Sequence, residues 1–392
     1  MAAIAQKEHD EYVRLNRRTV NQYEGVNDPV EIASIMLEPK KHDPLIVYAP
    51  PPLGVEELFA SFSEEQAMRL ASLAKVAMAE EDTDRAEDIA KSLATLTDFD
   101  LTEMLREWVS RKHYWPSIIF RSAKPEIRDA IIASLDRGEA NANHALSALA
   151  WIGDEVVQSA FVRWDAEKPV WAAKLYLSPS GYSVVGGWKF AGGKRSELTF
   201  NECYALLPSS RVTEASPVNT FQSAGQACPW CGYELSWMFD FDPSDSRLGF
   251  YGVKTPRFRV LTCHGCTCYG DGFYAKIGAD GMLRPHSMAT RPKWLPDHSE
   301  PWSEPAWKNV EIALSPRRAI QAADWCMDLK SSQLGGHPTW VQDSIYPKCP
   351  DCSQTMRFIG QLNEGDFPSC EGTYYAFYCH DCQSTATTYQ QT

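Results

Sequence analysis

Eight cysteines in this chain fall into four Cys-x-x-Cys pairs: Cys228/Cys231, Cys263/Cys266, Cys349/Cys352 and Cys379/Cys382. A two-residue gap makes a tight turn that aims both sulfurs at one point. Two such turns, brought together by a hairpin, form a four-thiolate cage, which suits Zn²⁺ held about 2.3 Å from each sulfur. The short gap also lets the intervening backbone N–H groups bond back to the sulfurs and offset the excess negative charge of the cage. Pro229 and Pro350 fix φ in the first turn of their knuckles, and Gly232 supplies a residue without a Cβ after the second ligand. Lys348, Arg357 and Arg259 stand close enough in sequence to balance charge. The pattern predicts two Zn²⁺ per chain, both structural, because four thiolates close the shell whereas a catalytic zinc keeps a position open for water. His264 and His380 lie inside the knuckles but are expected not to ligate, since sulfur already fills four positions. Cys268, two residues past Cys266, is a possible substitute ligand. Cys203, Cys268, Cys326 and Cys370 are otherwise expected to be mostly buried or near-ribbon structural thiols.

The two halves of the pattern repeat each other. One runs CPWCGYELSWMFDFD and then FRVLTCHGC; the other runs CPDCSQTMRFIGQLN and then YYAFYCHDC. Each opens Cys-Pro-x-Cys and closes with an alternating apolar strand running into Cys-His-x-Cys. The inner cysteines are separated by 31 residues in the first copy and 26 in the second. This predicts duplication of one β-rich unit, giving two similar subdomains related by a pseudo-twofold.

The elements that must position these turns follow from punctuation and periodicity. Residues 1–55 contain Asp43-Pro44 and Pro50-Pro51-Pro52 and are expected to form an extended arm or loops, with Leu45–Tyr48 a short strand or anchor. Residues 56–168 read as an α-helical, HEAT-like domain. Ser63 to Gln66 is a capping box ahead of a helical apolar pattern, and Asp100 to Glu103 is a second start, with Leu101, Met104, Leu105, Trp108 and Val109 on one face. Pro125 suits the first turn of a helix that carries Ile127, Ala130, Ile131 and Leu135 and ends at Gly138. From His144 to Phe161 the pattern is helix, turn at Gly153-Asp154, helix, which resembles one HEAT-type repeat and equally suits a plain α-helical bundle. Residues 169–300 then form a β-rich unit with the first ribbon, and 301–392 one with the second. Trp171–Leu177, Tyr182–Trp188, Leu198–Leu207, Arg257–Thr262 and Gly270–Ile277 are strand candidates. The doublets Gly186-Gly187 and Gly192-Gly193 read as hairpin turns, 284–307 as an irregular segment pinned by tryptophans including Trp294, Trp302 and Trp307, and 317–329 as one helix. The fold class is α+β: helical first, then a duplicated β domain with two zinc ribbons.

Composition bounds the function. The chain has 392 residues, 44% hydrophobic and 23% charged, as in an ordinary globular protein of two or three domains. No apolar run approaches the length needed to span a bilayer, and the first residues carry no apolar signal region. Twelve cysteines without an export signal suit thiolate–metal sites in a reducing cytoplasm. The net charge of −13 weighs against a nucleic-acid binder, which needs a basic surface, and suits a basic partner or solubility. No phosphate loop, nucleophile elbow or zinc-protease motif occurs, so the expectation is a non-enzymatic protein.

Gln333-Leu-Gly-Gly-His-Pro-Thr-Trp-Val-Gln342 resembles the LGG-x-P-x-W-x-Q signature of YwqG-like bacterial proteins and of the eukaryotic programmed-cell-death-protein-2 family, and Phe358–Leu362 is similar to their following strand. The combination with Cys-Pro-x-Cys and a later Tyr-x-Cys-x-x-Cys looks most like the eukaryotic relatives. The resemblance covers roughly 220–392, including the closing Thr388–Gln391, and excludes the helical half. It implies a protein-binding module without catalysis, most concretely a bacterial immunity protein that neutralises a basic toxin. The alternatives are a chaperone for a basic ribosome-associated protein and a zinc-ribbon nucleic-acid binder. Within the signature, Gly335 and Gly336 permit a tight turn, Pro338 stiffens its exit and Trp340 can bury a large ring, so the motif is expected to be structural.

Overall fold

The computed structural model describes residues 9, 11–209, 216–278, 282–296, 304–327 and 329–391. Pro301 and Trp302 of the tryptophan-rich segment lie outside them.

Helices build the first layer, and among the described residues most begin where a short polar side chain can satisfy a free N–H. They are α1 (Pro29–Leu37), α2 (Val55–Ala60), α3 (Glu64–Ala79), α4 (Thr83–Leu96), α5 (Thr102–Ser110), α6 (Pro125–Asp136), α7 (Ala142–Ile152) and α8 (Glu155–Glu167). Ser63 and Gln66 form the reciprocal capping box expected of α3, and Asp154 caps α8. Asp100 accepts from Thr102 N at 2.9 Å at the start of α5. Pro125 occupies the first turn of α6, and Gly153 ends α7 in the left-handed conformation. Ile127, Ile131 and Leu135 are buried as the spacing requires, whereas Ala130 is exposed. The arm is more ordered than its prolines suggest. Arg18–Val20 (β1) pairs parallel with Ile46–Tyr48 (β2), and α1 lies between them. Pro29 is a helix starter rather than a breaker, with Asp28 accepting from Val30 N.

Two short stretches expected as strands are 3-10 turns: Val170–Lys174 and Pro179–Gly186. Prolines start both, and their aromatic residues pack sideways on the helices. Trp171 meets Trp164 edge-on at 5.4 Å, and Tyr182 Oη donates to Asn143 Oδ1. Gly186-Gly187 is correspondingly no hairpin: a Cβ on Gly186 would lie 2.0 Å from Ala150 O. Gly192-Gly193 is the expected hairpin, joining β3 (Trp188–Ala191) to β4 (Lys194–Glu197).

The remaining strands are β5 (Cys203–Pro208), β6 (Val218–Ala227), β7 (Glu234–Phe241), β8 (Phe258–Thr262), β9 (Phe273–Ile277), β10 (Leu283–Pro285), β11 (Ile312–Pro316), β12 (Gln333–Gly335), β13 (Arg357–Asn363), β14 (Thr373–Cys379) and β15 (Ser384–Gln390). Eight of them form one antiparallel sheet in the order β10-β9-β15-β14-β13-β12-β5-β11. A second sheet, β6-β7-β8, packs on one face of it. Strand β14 explains its nearly all-apolar sequence by being covered on both faces. Tyr374 and Ala376 point into a core with Phe221, Phe239 and Val260, while Tyr375 and Phe377 point the other way, toward Tyr346, Phe358 and Trp340. The expected pair of separate β subdomains, divided at residue 300, gives way to a shared sheet. Strand β5 pairs with β11 and β12, and β9 pairs with β15, across that boundary.

A seam joins helices to sheet. Trp188, fully buried, donates from Nε1 to Ala150 O at 2.8 Å and stacks on Phe161. The segment 317–327 is not the single helix expected. Its chain is tied at Arg317 N to Cys203 O (3.0 Å) and at Ala319 O to His337 N (2.7 Å), and its own backbone bonds are i→i+3 turns such as Gln321 N to Arg318 O and Ala323 N to Ile320 O. From there Arg318 Nη2 reaches Thr97 O at 2.9 Å, and Cys326 Sγ lies 3.1 Å from Ser92 Oγ, both on the helical side.

Candidate metal centres

The four Cys-x-x-Cys pairs come together in twos, as their order predicts. Cys228, Cys231, Cys263 and Cys266 form one tetrad and Cys349, Cys352, Cys379 and Cys382 the other, with all sulfurs of a tetrad within 4.8 Å of one another. Each of the two clusters could hold a metal ion. Cys228 and Cys266 sulfurs lie 3.6 Å apart, Cys231 and Cys263 3.4 Å, and Cys352 and Cys379 3.7 Å. These separations are far beyond a disulfide bond, about 2.05 Å. They approach the roughly 3.8 Å edge of a sulfur tetrahedron around a metal about 2.3 Å from each sulfur.

Backbone geometry makes the two leading knuckles equivalent. Cys228 N donates to Tyr233 O and Gly232 N returns to Cys228 O at 3.0 Å; Cys349 N donates to Gln354 O and Ser353 N returns to Cys349 O at 2.8 Å. Gly232 and Ser353 both sit in the left-handed region, with φ of 78° and 59°. The serine carries the strain that the glycine avoids. The trailing knuckles differ: Cys266 lies in a one-turn helix, α9 (His264–Cys268), whereas Cys382 lies in a turn that leads straight into β15. Strand pairing differs there too, since β15 pairs with β14 but β9 does not pair with β8.

Within the first tetrad, hydrogen bonds from Cys263 and Cys266, helped by the N–H groups of Cys231 and Trp230, hold Cys228 below the ordinary thiol range. The Cys228 sulfur pushes Cys263 and Cys266 up in turn. In the second, the Gln354 N–H lowers Cys352, Cys352 raises Cys382, and burial raises Cys379. The sulfurs of each tetrad compete to carry negative charge; a divalent cation would let all four ionise.

Two of the three cations nearest in sequence are engaged elsewhere. Arg357 donates to Thr199 O and lies over the Phe200 ring, and Arg259 pairs with Asp240. Lys276, from β9, is the cation whose charge acts on Cys382 and Cys349, and Lys189, from β3, is acted on by Cys352 and Cys379. Sequence reasoning also passes over Asp351, inside the second knuckle. Its carboxylate takes Lys276 Nζ at 2.9 Å, His286 Nε2 at 3.2 Å and Ser384 Oγ at 3.1 Å. The acid standing where the first knuckle has Trp230 was the available signal. Thr262 Oγ1, one residue before Cys263, lies 2.7 Å from Thr387 Oγ1 of β15 and 2.9 Å from Thr267 Oγ1, beside Cys266. Each centre is therefore braced by strands that belong to the other.

The two histidines stand outside the sulfur tetrads. His264 Nδ1 hydrogen-bonds Tyr374 Oη, and exposed His380 lies edge-on to Tyr378. Cys268 is no member of the tetrad; its sulfur lies 3.4 Å from Tyr374 Oη. Cys203 and Cys326 are buried, Cys268 is half-buried and Cys370 is exposed.

The Gln333–Gln342 motif is built into the core. Gly335 and Gly336 have φ of 72° and 64°, and a Cβ on Gly336 would lie 2.6 Å from Ala319 O and 2.7 Å from Cys203 Sγ. Gln333 Nε2 donates to the Gly335 and His337 carbonyls. Gln361 accepts from Thr339 N at 2.8 Å and donates to Ser331 O at 2.8 Å, and Trp340 stacks on Tyr375 at 4.8 Å. The Gln333 and Gln361 amides thus hold backbone in place.

Among the described residues no helix is long and apolar enough to cross a membrane. No known family profile matches the chain, and no solved structure matches it. The chain is 34% identical over 389 residues to a protein of Salmonella typhimurium described as "Uncharacterized protein YpfL", an alignment spanning 98% of this chain and 91% of that one. The chain belongs to the family of YpfL.

Proposed function

We propose that the chain is a non-enzymatic protein-binding module whose two tetrads hold structural Zn²⁺. The carrying observation is closure. In each tetrad four sulfurs lie within 4.8 Å of one another, and four thiolates around one Zn²⁺ would fill its tetrahedral shell, with no position open to water or substrate. Each tetrad also forms part of a small apolar cluster: Cys228, Cys263 and Cys266 with Leu235, Leu261 and Phe273, and Cys349 and Cys379 with Phe358 and Phe377. Metal binding there contributes folding free energy to units with thin cores. Soft thiolate donors in tetrahedral spacing favour zinc over harder cations.

The partner is proposed to be basic. Residues 56–168 hold 22 acidic and 13 basic side chains, so −9 of the net −13 lies in the helical layer. A net excess of acidic side chains steers a basic partner and repels nucleic acid. The sharpest form of this reading is a cytoplasmic immunity protein that covers a basic toxin such as a nuclease, supported by the resemblance of the 333–342 motif and by the charge. Affinity capture with the tagged full chain, followed by co-expression with the captured protein, tests it. Capture of a basic protein that arrests growth alone, with growth restored by this chain, supports the reading. A bound fraction dominated by a ribosomal protein would move the function to chaperoning. Salt-sensitive binding of DNA or RNA without any protein partner would sink it.

A further inference from the structure

Away from the metal centres, an open cleft of about 950 Å³ lies between the helical layer and the segment after β11. Two stretches of its helical wall share one pattern. Phe62 stands two residues before Glu64 at the start of α3, and Phe99 stands between Asp98 and Asp100 after α4. Both rings are half-buried, and all three carboxylates are exposed, that of Asp98 to 88%. Glu56, also exposed, adds a fourth. The cations lining the cleft are Arg317 and Arg318, so four carboxylates face two guanidiniums. Both guanidiniums are committed, Arg317 to Glu56 Oε1 and Arg318 to Thr97 O and Asp98 Oδ1, and Lys124 reaches Asp100 Oδ2. What remains is acceptor capacity on exposed atoms. Among the described residues the Glu64 side chain enters no ion pair, and Glu56 and Asp98 each keep one oxygen without a hydrogen bond. These carboxylates are spread along the cleft rather than gathered: among the described residues no three acidic groups in it come within 4.8 Å of one another, as a bound metal ion would need.

We propose that this cleft docks the basic partner, taking a segment of that protein with lysine or arginine on both sides of an aromatic or branched apolar side chain. The inference rests on the basic-partner reading above and gives it a place on the molecule. The occupant follows from the walls. Spaced single carboxylates match spaced ammonium or guanidinium groups, and half-buried rings beside them match an apolar side chain between those groups. Covering Phe62 and Phe99 would supply most of the affinity, because apolar area leaves water there. The flanking cations would meet Glu64 and Asp98, which sets orientation and encounter rate more than affinity. A volume of about 950 Å³ accommodates several side chains, as a protein segment requires.

The test is titration of the full chain with a short labelled peptide that carries phenylalanine between paired lysines, followed by fluorescence anisotropy. Saturable binding that weakens as salt rises is expected. The same peptide with alanine for phenylalanine should bind severalfold more weakly, and one with glutamates for lysines should be inert. Glu64→Lys reverses an exposed charge and should weaken binding about fivefold at low salt. Phe62→Ala should weaken it severalfold, with metal content unchanged in both variants. Glu64→Lys removes no packing, so it keeps the test decisive if Phe62→Ala loosens the helices. Absence of saturation, equal binding of the alanine peptide or of spermine, or unchanged affinity in both variants would overturn the proposal. The captured partner keeps this inference apart from the reading it rests on. A basic protein that binds both variants as tightly as the wild type would remove the cleft and leave the basic-partner reading standing, whereas a captured partner that is not basic would remove both.

Discussion

Protonating His337 should loosen the seam between helices and sheet. Its ring lies 5.0 Å from Trp151 of α7, its Nε2 lies 3.3 Å from Thr199 Oγ1, and Gly187 packs against its edge. Burial, with Arg195 and Arg121 adding positive charge nearby, lowers its pKa from 6.5 to about 4. The folded value lies below the unfolded one, so the fold prefers the neutral ring. Its contribution is intact above pH 6.5 and is lost progressively as pH falls toward about 4, where the unfolded chain binds a proton that the folded chain resists. That gap corresponds to roughly 3 kcal/mol. Urea unfolding of the wild type and His337→Gln across this range measures it. The variant has no ring to protonate, so the stability difference between the two should shift by roughly 3 kcal/mol in its favour on acidification. Acid protonation of the cysteine tetrads affects both proteins alike and cancels in the difference. Parallel pH curves for the two proteins would refute the assignment of a half-buried neutral imidazole to the seam.

Metal analysis of the purified chain should give two zinc ions; one or none would break the two-centre account. Cys379→Ser should lose one of them and destabilise the C-terminal strands by several kcal/mol, as expected where metal binding is folding energy, and an unchanged melting temperature with full zinc would contradict this. Gly336→Ala forces a Cβ to within 2.6 Å of Ala319 O at a φ of 64°. It should cost about 3 kcal/mol, from overpacking together with left-handed strain, and a loss well below 1 kcal/mol in denaturant titration would show that the turn has room to relax.

Elements whose signals are local were legible. The capping box at Ser63, the proline start of α6 and the glycine stop at Gly153 need only neighbours in sequence, and all three stand where the spacing puts them. The sulfur tetrads were legible for the same reason, since a Cys-x-x-Cys turn defines its own geometry. What depends on distant pairing was not. Nothing near Lys276 says that it faces Asp351, 75 residues away. The alternation of 171–188 suggested strands because aromatic residues spaced for packing on α7 and α8 mimic a period of two over a short run. The segment 317–327 has a helical apolar pattern, but two backbone bonds to β5 and to His337 outbid its own i→i+4 bonds. The prolines of the arm hid α1 because proline starts helices as readily as it ends them.

The repeat of knuckle, two strands and knuckle suggested two independent units, yet the third strand of each copy decides otherwise. In the second copy β15 returns beside β14 and closes a local meander. In the first copy β9 leaves β8 and joins the far edge of β15 instead, with Ala275 opposite Thr385. That one choice places Lys276 over Asp351 and sets Thr262 against Thr387, so each set of sulfurs is aimed partly by chain from the other copy. A closed thiolate site tolerates little drift in its four donors, because metal–sulfur distances vary by only tenths of an ångström. Ligand turns held on both sides by a shared sheet are therefore better ordered before metal arrives than turns on a free-standing hairpin. The pairing of β9 with β15 therefore couples the two cysteine tetrads mechanically through one sheet.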